Sequence, residues 1–298
     1  MIYDVIHLTR YHYGAPVAVN ACVLRLAPRD EPGQKVASSK IEVFPRPQLC
    51  DDRLDIYGNR TTRIRIEQPH RELSIKASSR VEVTRAAPPI AALTPAWDAI
   101  ATLAADEESL DTSSPVFQIY PSRMVRLFDA ATDYARKSFP PGRPIYEAAV
   151  ELNKRIQTDF VFDSKATEVT TAPEEAFKAR RGVCQDFAQV MIAALRGLGL
   201  PVHYVSGYIR TIPPPGKPRL QGADASHAWV SVWCGPAFGW LGLDPTNAIA
   251  EGDDHVVVAR GRDYADVPPV EGVIVSSGEH ELEVEVDVIP IAGASRAA

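Results

Sequence analysis

Alternation of apolar and polar residues at a period of two dominates the first 85 positions. Ile41-Glu42-Val43-Phe44, Thr62-Arg63-Ile64-Arg65-Ile66 and Arg80-Val81-Glu82-Val83-Thr84 each fit a half-buried strand, and Tyr57-Gly58-Asn59 is turn chemistry. Short strands at that spacing predict a small β-sandwich over residues 1–85. Residues 86–121 break the pattern with Pro88-Pro89, an alanine-rich stretch, the acidic Asp106-Glu107-Glu108 and Ser113-Ser114-Pro115. They read as a connecting segment with one short helix between Pro95 and Ala105.

The period then changes to that of a helix. Met124, Leu127, Phe128 and Ala131 predict one helix, and Ile145, Ala148, Ala149 and Leu152 another. The clearest follows Cys184: Phe187, Val190, Met191, Ala194, Leu195 and Leu198 form one apolar stripe, stopped by Gly197 and Gly199-Leu200-Pro201. Residues 202–209, 227–233, 238–244 and 273–276 read as strands. Residues 282–288 alternate apolar with acidic, as suits a charged edge strand. The loop containing Pro213-Pro214-Pro215-Gly216-Lys217-Pro218 is either a lid over a cleft or a plain solvent-exposed connection.

The whole predicts an α+β chain. Its parts are the N-terminal β domain (1–85), the connecting segment (86–121), a helix-and-sheet domain (122–270), and C-terminal strands with a tail (271–298). In the third part the helix from Cys184 packs on an antiparallel sheet.

Composition narrows the function classes. Among 298 residues, 45% are apolar and 23% charged, an ordinary globular balance. A net charge of −6 and no run of basic residues longer than a pair argue against a nucleic-acid partner. No apolar stretch is long enough for a transmembrane helix, so no membrane association is expected. The alternating N-terminus, with Asp4 and His7, reads as a strand rather than a signal peptide. Cys22, Cys50, Cys184 and Cys234 are too sparse and irregular for a disulfide framework or a CxxC metal site, and a reduced, cytoplasmic protein is expected. No EF-hand pattern is present, and no metal or other cofactor is expected.

Candidate chemistry centres on Cys184. At a helix start, unpaired N–H groups and the macrodipole favour negative charge, as a thiolate nucleophile and an oxyanion both require. The bland alternative is a core thiol on the buried stripe. His227 and Asp244 offer a base and its orienting carboxylate. A four-residue loop, Cys234-Gly235-Pro236-Ala237, would set Trp233 opposite Phe238 and His227 directly opposite Asp244. The pair would share a face with Trp229. Alternatively, His227 is a half-buried strand histidine, and Asp244-Pro245-Thr246-Asn247 is a turn with an Asx-type bond. Asp186 suits a first-turn helix charge, and Trp229 either floors a cleft or fills the core.

Four segments together carry a resemblance: Arg181-Gly182-Val183-Cys184-Gln185-Asp186-Phe187-Ala188, Leu198-Gly199-Leu200-Pro201-Val202, Ser226-His227-Ala228-Trp229-Val230 and Leu243-Asp244-Pro245-Thr246-Asn247. Residues 120–265 resemble the transglutaminase-like superfamily, which shares the papain-type thiol fold. Residues 1–85 resemble the N-terminal β domain of its bacterial members, and Gly261-Arg262-Asp263-Tyr264-Ala265-Asp266-Val267-Pro268-Pro269 their characteristic tail. The resemblance implies Cys184 as nucleophile, His227 as general base and acid, Asp244 as orienting carboxylate, and a peptide or protein substrate. It implies hydrolysis of an amide or peptide bond, with amine transfer or a non-catalytic scaffold as alternatives. A protein partner could dock on the N-terminal β domain. Lys178 stands where papain-like enzymes carry an oxyanion-hole Gln, which leaves the second oxyanion donor unassigned.

Overall fold

The computed structural model describes residues 1–109, 111–211, 222, 225–275 and 278–291. Six strands come first: β1 (Ile2–Val17), β2 (Val19–Leu24), β3 (Gln34–Phe44), β4 (Leu49–Leu54), β5 (Arg60–Ile66) and β6 (His70–Val83). Helices α1 (Trp97–Ala105), α2 (Asp129–Arg136) and α3 (Ile145–Asp159) follow. The short strands β7 (Val161–Phe162) and β8 (Arg181–Gly182) flank α4 (Pro173–Ala179) and lead into α5 (Cys184–Arg196). The chain then runs through β9 (Val202–Ile209), β10 (Ala225–Trp233), β11 (Trp240–Asp244), β12 (Ile249–Ala250) and β13 (His255–Gly261). It closes with β14 (Val270–Val275) and β15 (His280–Ile291).

Two four-stranded antiparallel sheets, β15-β1-β6-β3 and β14-β2-β5-β4, make the N-terminal layers. The last two strands of the chain therefore complete sheets begun by the first two. Residues 270–291 belong structurally with residues 2–83, not to a separate tail. The pairing is between the two ends of the chain, and no local pattern reports it.

The length of β1 welds this unit to the rest. Its odd-numbered side chains share one face, and Tyr11 and Tyr13 pack in the core between the two sheets. Tyr3 and Val5, one end further along, join the large core with Val81 and Val83 of β6 and the apolar residues of α5. His7 sits between the two clusters and bonds Tyr208 of β9 at 2.9 Å. Buried amides lock the same seam. Gln34 exchanges two hydrogen bonds with the backbone of Val257 (2.7 and 2.8 Å), and Asn59 two with that of Arg260 (2.8 and 2.8 Å). Both target residues lie in β13.

The central sheet is antiparallel in the order β12-β11-β10-β9-β13. Ala228, Val230 and Val232 of β10 share a core with α5. Trp229, on the other face, joins Val205 and Val257 in a small separate cluster. Helix α5 is buried on every side from Gln185 to Arg196, so its single apolar stripe understates its burial. Its Arg196 guanidinium donates to the carbonyls of Gln118, Val202 and Arg262, whereas the buried Gln189 amide has no hydrogen-bond partner among the described residues.

Two local expectations need correction. The helix expected from Met124 starts only at Asp129. Phe128 is extended, Val125 is the buried residue of the preceding stretch, and Asp263 Oδ2 holds the Met124 N–H at 2.6 Å. The β10–β11 register is also displaced by two residues, with Trp233 facing Trp240 rather than Phe238. Gly235 and Gly239 take left-handed φ values of 93° and 64°, and the Cys234 N–H closes the loop on Gly239 O at 2.8 Å. The turn is thereby moved along the chain. The loop at residues 213–218 lies outside the described residues.

Candidate active site

Cys184 is the first residue of α5, and the main chain around it is held by Asp186. The Asp186 carboxylate, 1% exposed, accepts the Val183 N–H (2.8 Å) and the Thr167 hydroxyl (2.6 Å) through Oδ2. This is the return bond of a capping box, made at the turn that presents the thiol. A Cβ at Gly182 would stand 2.5 Å from that same oxygen, so only glycine leaves space for the cap. Gln185 ties the loop above by donating to Val169 O at 2.8 Å. Cys184 itself is partly exposed. First-turn N–H groups, that of Cys184 among them, have no intrahelical partner and can receive an oxyanion.

His227 and Asp244 meet despite the displaced register. A slip of two residues preserves which side chains share a face, so the pair becomes diagonal rather than directly opposed. His227 Nε2 lies 2.7 Å from Asp244 Oδ2. With Nε2 so engaged, Nδ1 is the ring nitrogen left to face the Cys184 thiol, which lies near enough to act on the charge of the imidazole. Burial by itself would lower the proton affinity of His227. The bonds to Asp244 and Cys184, with their charges, outweigh it and push the imidazole up to about 10. The pairing favours the protonated form of the ring.

Asp244 is fully buried and stays ionised because its oxygens are occupied. Oδ1 accepts the N–H groups of Thr246 (2.9 Å) and Asn247 (3.2 Å), which is the Asx-type turn. Oδ2 accepts the Asn247 amide at 2.7 Å and lies 3.4 Å from His255 Nε2. Burial raises such a carboxyl. Here His227 first, then His255, hold it well below the ordinary carboxylate range. The carboxylate that faces His227 thus also forms the Asx-type turn.

His255 and Asn247 were not singled out in the sequence. His255 comes from β13, far along the chain, and no local spacing connects it to Asp244. The Gly252 N–H donates to its Nδ1 at 3.2 Å, which leaves Nε2 as the nitrogen that donates to Asp244 Oδ2. The ligand atoms of His227, Asp244 and His255 lie within 4.8 Å of one another. The 2.7 Å contact is nonetheless a hydrogen bond, shorter than the ~3.3 Å that two ~2 Å metal bonds would leave between tetrahedral ligands.

Trp229 is fully buried, so it is not a cleft floor. Its ring stacks on His227 with centroids 5.9 Å apart and planes at 28°. Lys178 points to solvent in an ion pair with Glu174 (2.8 Å). Burial pushes Cys22 up to about 11 and Cys234 to about 12, while burial and then Asp52 and Asp51 raise the exposed Cys50. A cavity of about 870 Å³ opens where Tyr57, Arg85 and Arg260 face Phe238, Trp240 and Glu251, and none of Cys184, His227 and Asp244 lines it.

Two family models match the chain: the bacterial transglutaminase-like N-terminal region over residues 3–82, and the transglutaminase-like superfamily over residues 132–245. An uncharacterized protein of Mycobacterium tuberculosis is 40% identical, covering 98% of this chain and 93% of its own length. One of Mycobacterium leprae is 30% identical, covering 97% and 98%. Among solved structures, a proposed cysteine protease from Cytophaga hutchinsonii superposes with a TM-score of 0.73 at 18% identity. The match covers 99% of this chain and 92% of that one, and shows a shared fold. The chain belongs to the transglutaminase-like superfamily and carries the N-terminal region of its bacterial members.

Proposed function

We propose that the protein is a cysteine-dependent acyl-transfer enzyme that hydrolyses an amide or peptide bond through Cys184, His227 and Asp244. The observation that carries this reading is the 2.7 Å contact between His227 and the buried, ionised Asp244, with Cys184 as the other partner of the ring. The Cys184 thiolate attacks the carbonyl carbon, and the oxyanion is received at the α5 N-terminus. The His227 imidazolium protonates the departing nitrogen, the C–N bond breaks, and a thioester remains. Neutral His227 then takes a proton from water, whose oxygen attacks the thioester and releases the acid. Asp244 keeps the ring oriented and charged without giving up its own role as an ion. Hydrolysis is preferred to amine transfer because Cys184 is partly exposed and water reaches the thioester.

The test begins with iodoacetamide labelling of the four cysteines at a series of pH values, read by mass spectrometry on the wild type and on His227→Ala. Cys184 is expected to label faster than the exposed Cys50 at neutral pH, and to lose that advantage in the variant. Ammonia release from glutamine-containing peptides, with and without a primary amine, then separates hydrolysis from transfer. Labelling of Cys184 no faster than Cys50 would reject the triad.

A further inference from the structure

We propose that Glu251 is a positioning residue for the catalytic histidine, and that through it the N-terminal β unit helps set the geometry of the active site. The inference rests on the triad reading above. A chain of buried contacts carries it. Trp229, stacked on His227, donates its Nε1–H to Glu251 Oε2 at 2.6 Å. The other oxygen of Glu251 pairs with Arg85 Nη2 at 3.0 Å. Arg85, just past β6, pairs in turn with Glu31 at 2.9 Å, and Glu31 takes two further bonds from Arg260 (2.8 and 2.9 Å). The Glu31, Arg85 and Glu251 side chains are 7%, 11% and 7% exposed, so solvent does little to screen them.

Each step has a physical reason. A buried indole N–H needs an acceptor, and a carboxylate is the strongest one a side chain offers. That bond fixes the rotation of the Trp229 ring, and the ring face is what the His227 imidazolium lies against. The ring edge of His255 also meets Trp229, with centroids 5.1 Å apart, so the indole touches both imidazoles served by Asp244. Gly242 makes the arrangement possible: a Cβ there would stand 2.6 Å from Glu251 Oε2. The charged groups packed around this chain include Asp244, His255, Arg85, Arg260, Glu31, Arg29, which pairs with Glu31 at 3.6 Å, and Asp253, which accepts the Arg85 N–H at 2.8 Å.

The experiment follows the His227 imidazole by NMR titration and Cys184 by alkylation against pH, in full-length Glu251→Ala, Glu251→Gln and Trp229→Phe. Leu24→Ala, in the core between the two N-terminal sheets, is the control for stability loss alone. Glu251→Ala and Trp229→Phe are expected to lower the His227 midpoint by about one unit, roughly a tenfold weaker hold on the proton. They are also expected to slow Cys184 alkylation at neutral pH, by at most about the same tenfold. Glu251→Gln, which keeps an acceptor oxygen, should fall between. Trp229→Phe keeps an aromatic ring but removes the indole N–H together with the pyrrole ring, and it serves as the second variant if Glu251→Ala does not fold. A His227 midpoint in Trp229→Phe no different from that in Leu24→Ala overturns the inference. Wild-type Cys184 labelling no faster than Cys50 would instead reject the triad reading, while the titration still reports on Glu251.

Discussion

The side chain of Gln34 behaves toward Val257 as a neighbouring strand would. Its oxygen accepts the Val257 N–H at 2.8 Å and its amide donates to the Val257 carbonyl at 2.7 Å. Removing it as Gln34→Ala leaves the buried Val257 N–H without its side-chain acceptor and its carbonyl with only the 3.4 Å bond from the Arg29 N–H, at about 1–3 kcal/mol for the orphaned group. We expect one calorimetric transition, shifted down, because the same bonds join the N-terminal sheets to the sheet that holds His227. Two separate transitions would show that the halves unfold independently.

The proton on His227 predicts a split between two pH profiles. Alkylation of Cys184 needs only the thiolate, whereas cleavage of an amide also needs the imidazolium as acid. Amide turnover is therefore expected to fall as pH rises toward about 10, while iodoacetamide labelling does not. Parallel loss of both would place the acid elsewhere.

Stability should follow the same group. His227 binds its proton more tightly in the folded chain than the ordinary 6.5, so its contribution is complete below that value and is lost as pH rises through about 10. Asp244 has the opposite sign, contributing above the ordinary 3.8 and failing as acid protonates it. Urea unfolding of the wild type and His227→Gln should converge between pH 6.5 and 10. A gap that widens with pH would contradict the assignment.

Asp244→Asn is expected to cut turnover by roughly 10³–10⁴-fold, because the amide can present its NH₂ where the imidazole needs an acceptor. The loss should appear in kcat rather than KM, since Asp244 is fully buried. A variant that changes only KM would assign Asp244 to binding.

Gly182→Ala tests how the nucleophile is held. The added methyl meets Asp186 Oδ2 at 2.5 Å, and relieving that clash breaks the cap or shifts β8. About 1–3 kcal/mol of stability should be lost, with slower labelling of Cys184. Unchanged labelling in a folded variant would mean the cap does not position the thiol.

The relation of these residues to the sequence is uneven for definable reasons. Helix α5 was legible because Phe187, Val190, Met191 and their successors repeat at the helical period. The meeting of His227 with Asp244 was legible because a period of two survives an even slip, although the register itself turned on the left-handed Gly235 and Gly239. His255 and Glu251 were not legible, since each depends on a contact between separate strands or on the space left by Gly242. Asp186 was read as a helix-start charge, and the structure adds that Thr167 shares its oxygen.

The pairing of β15 with β1 and of β14 with β2 has a consequence for synthesis. As the chain leaves the ribosome, β1 and β2 emerge about 250 residues before the strands that pair with them. Until residues 270–291 arrive, both strands present bare edges, ready to pair with any other extended chain. Stop codons or proteolytic nicks near the C-terminus would thus be felt at the opposite end of the polypeptide, as self-association rather than as loss of a tail.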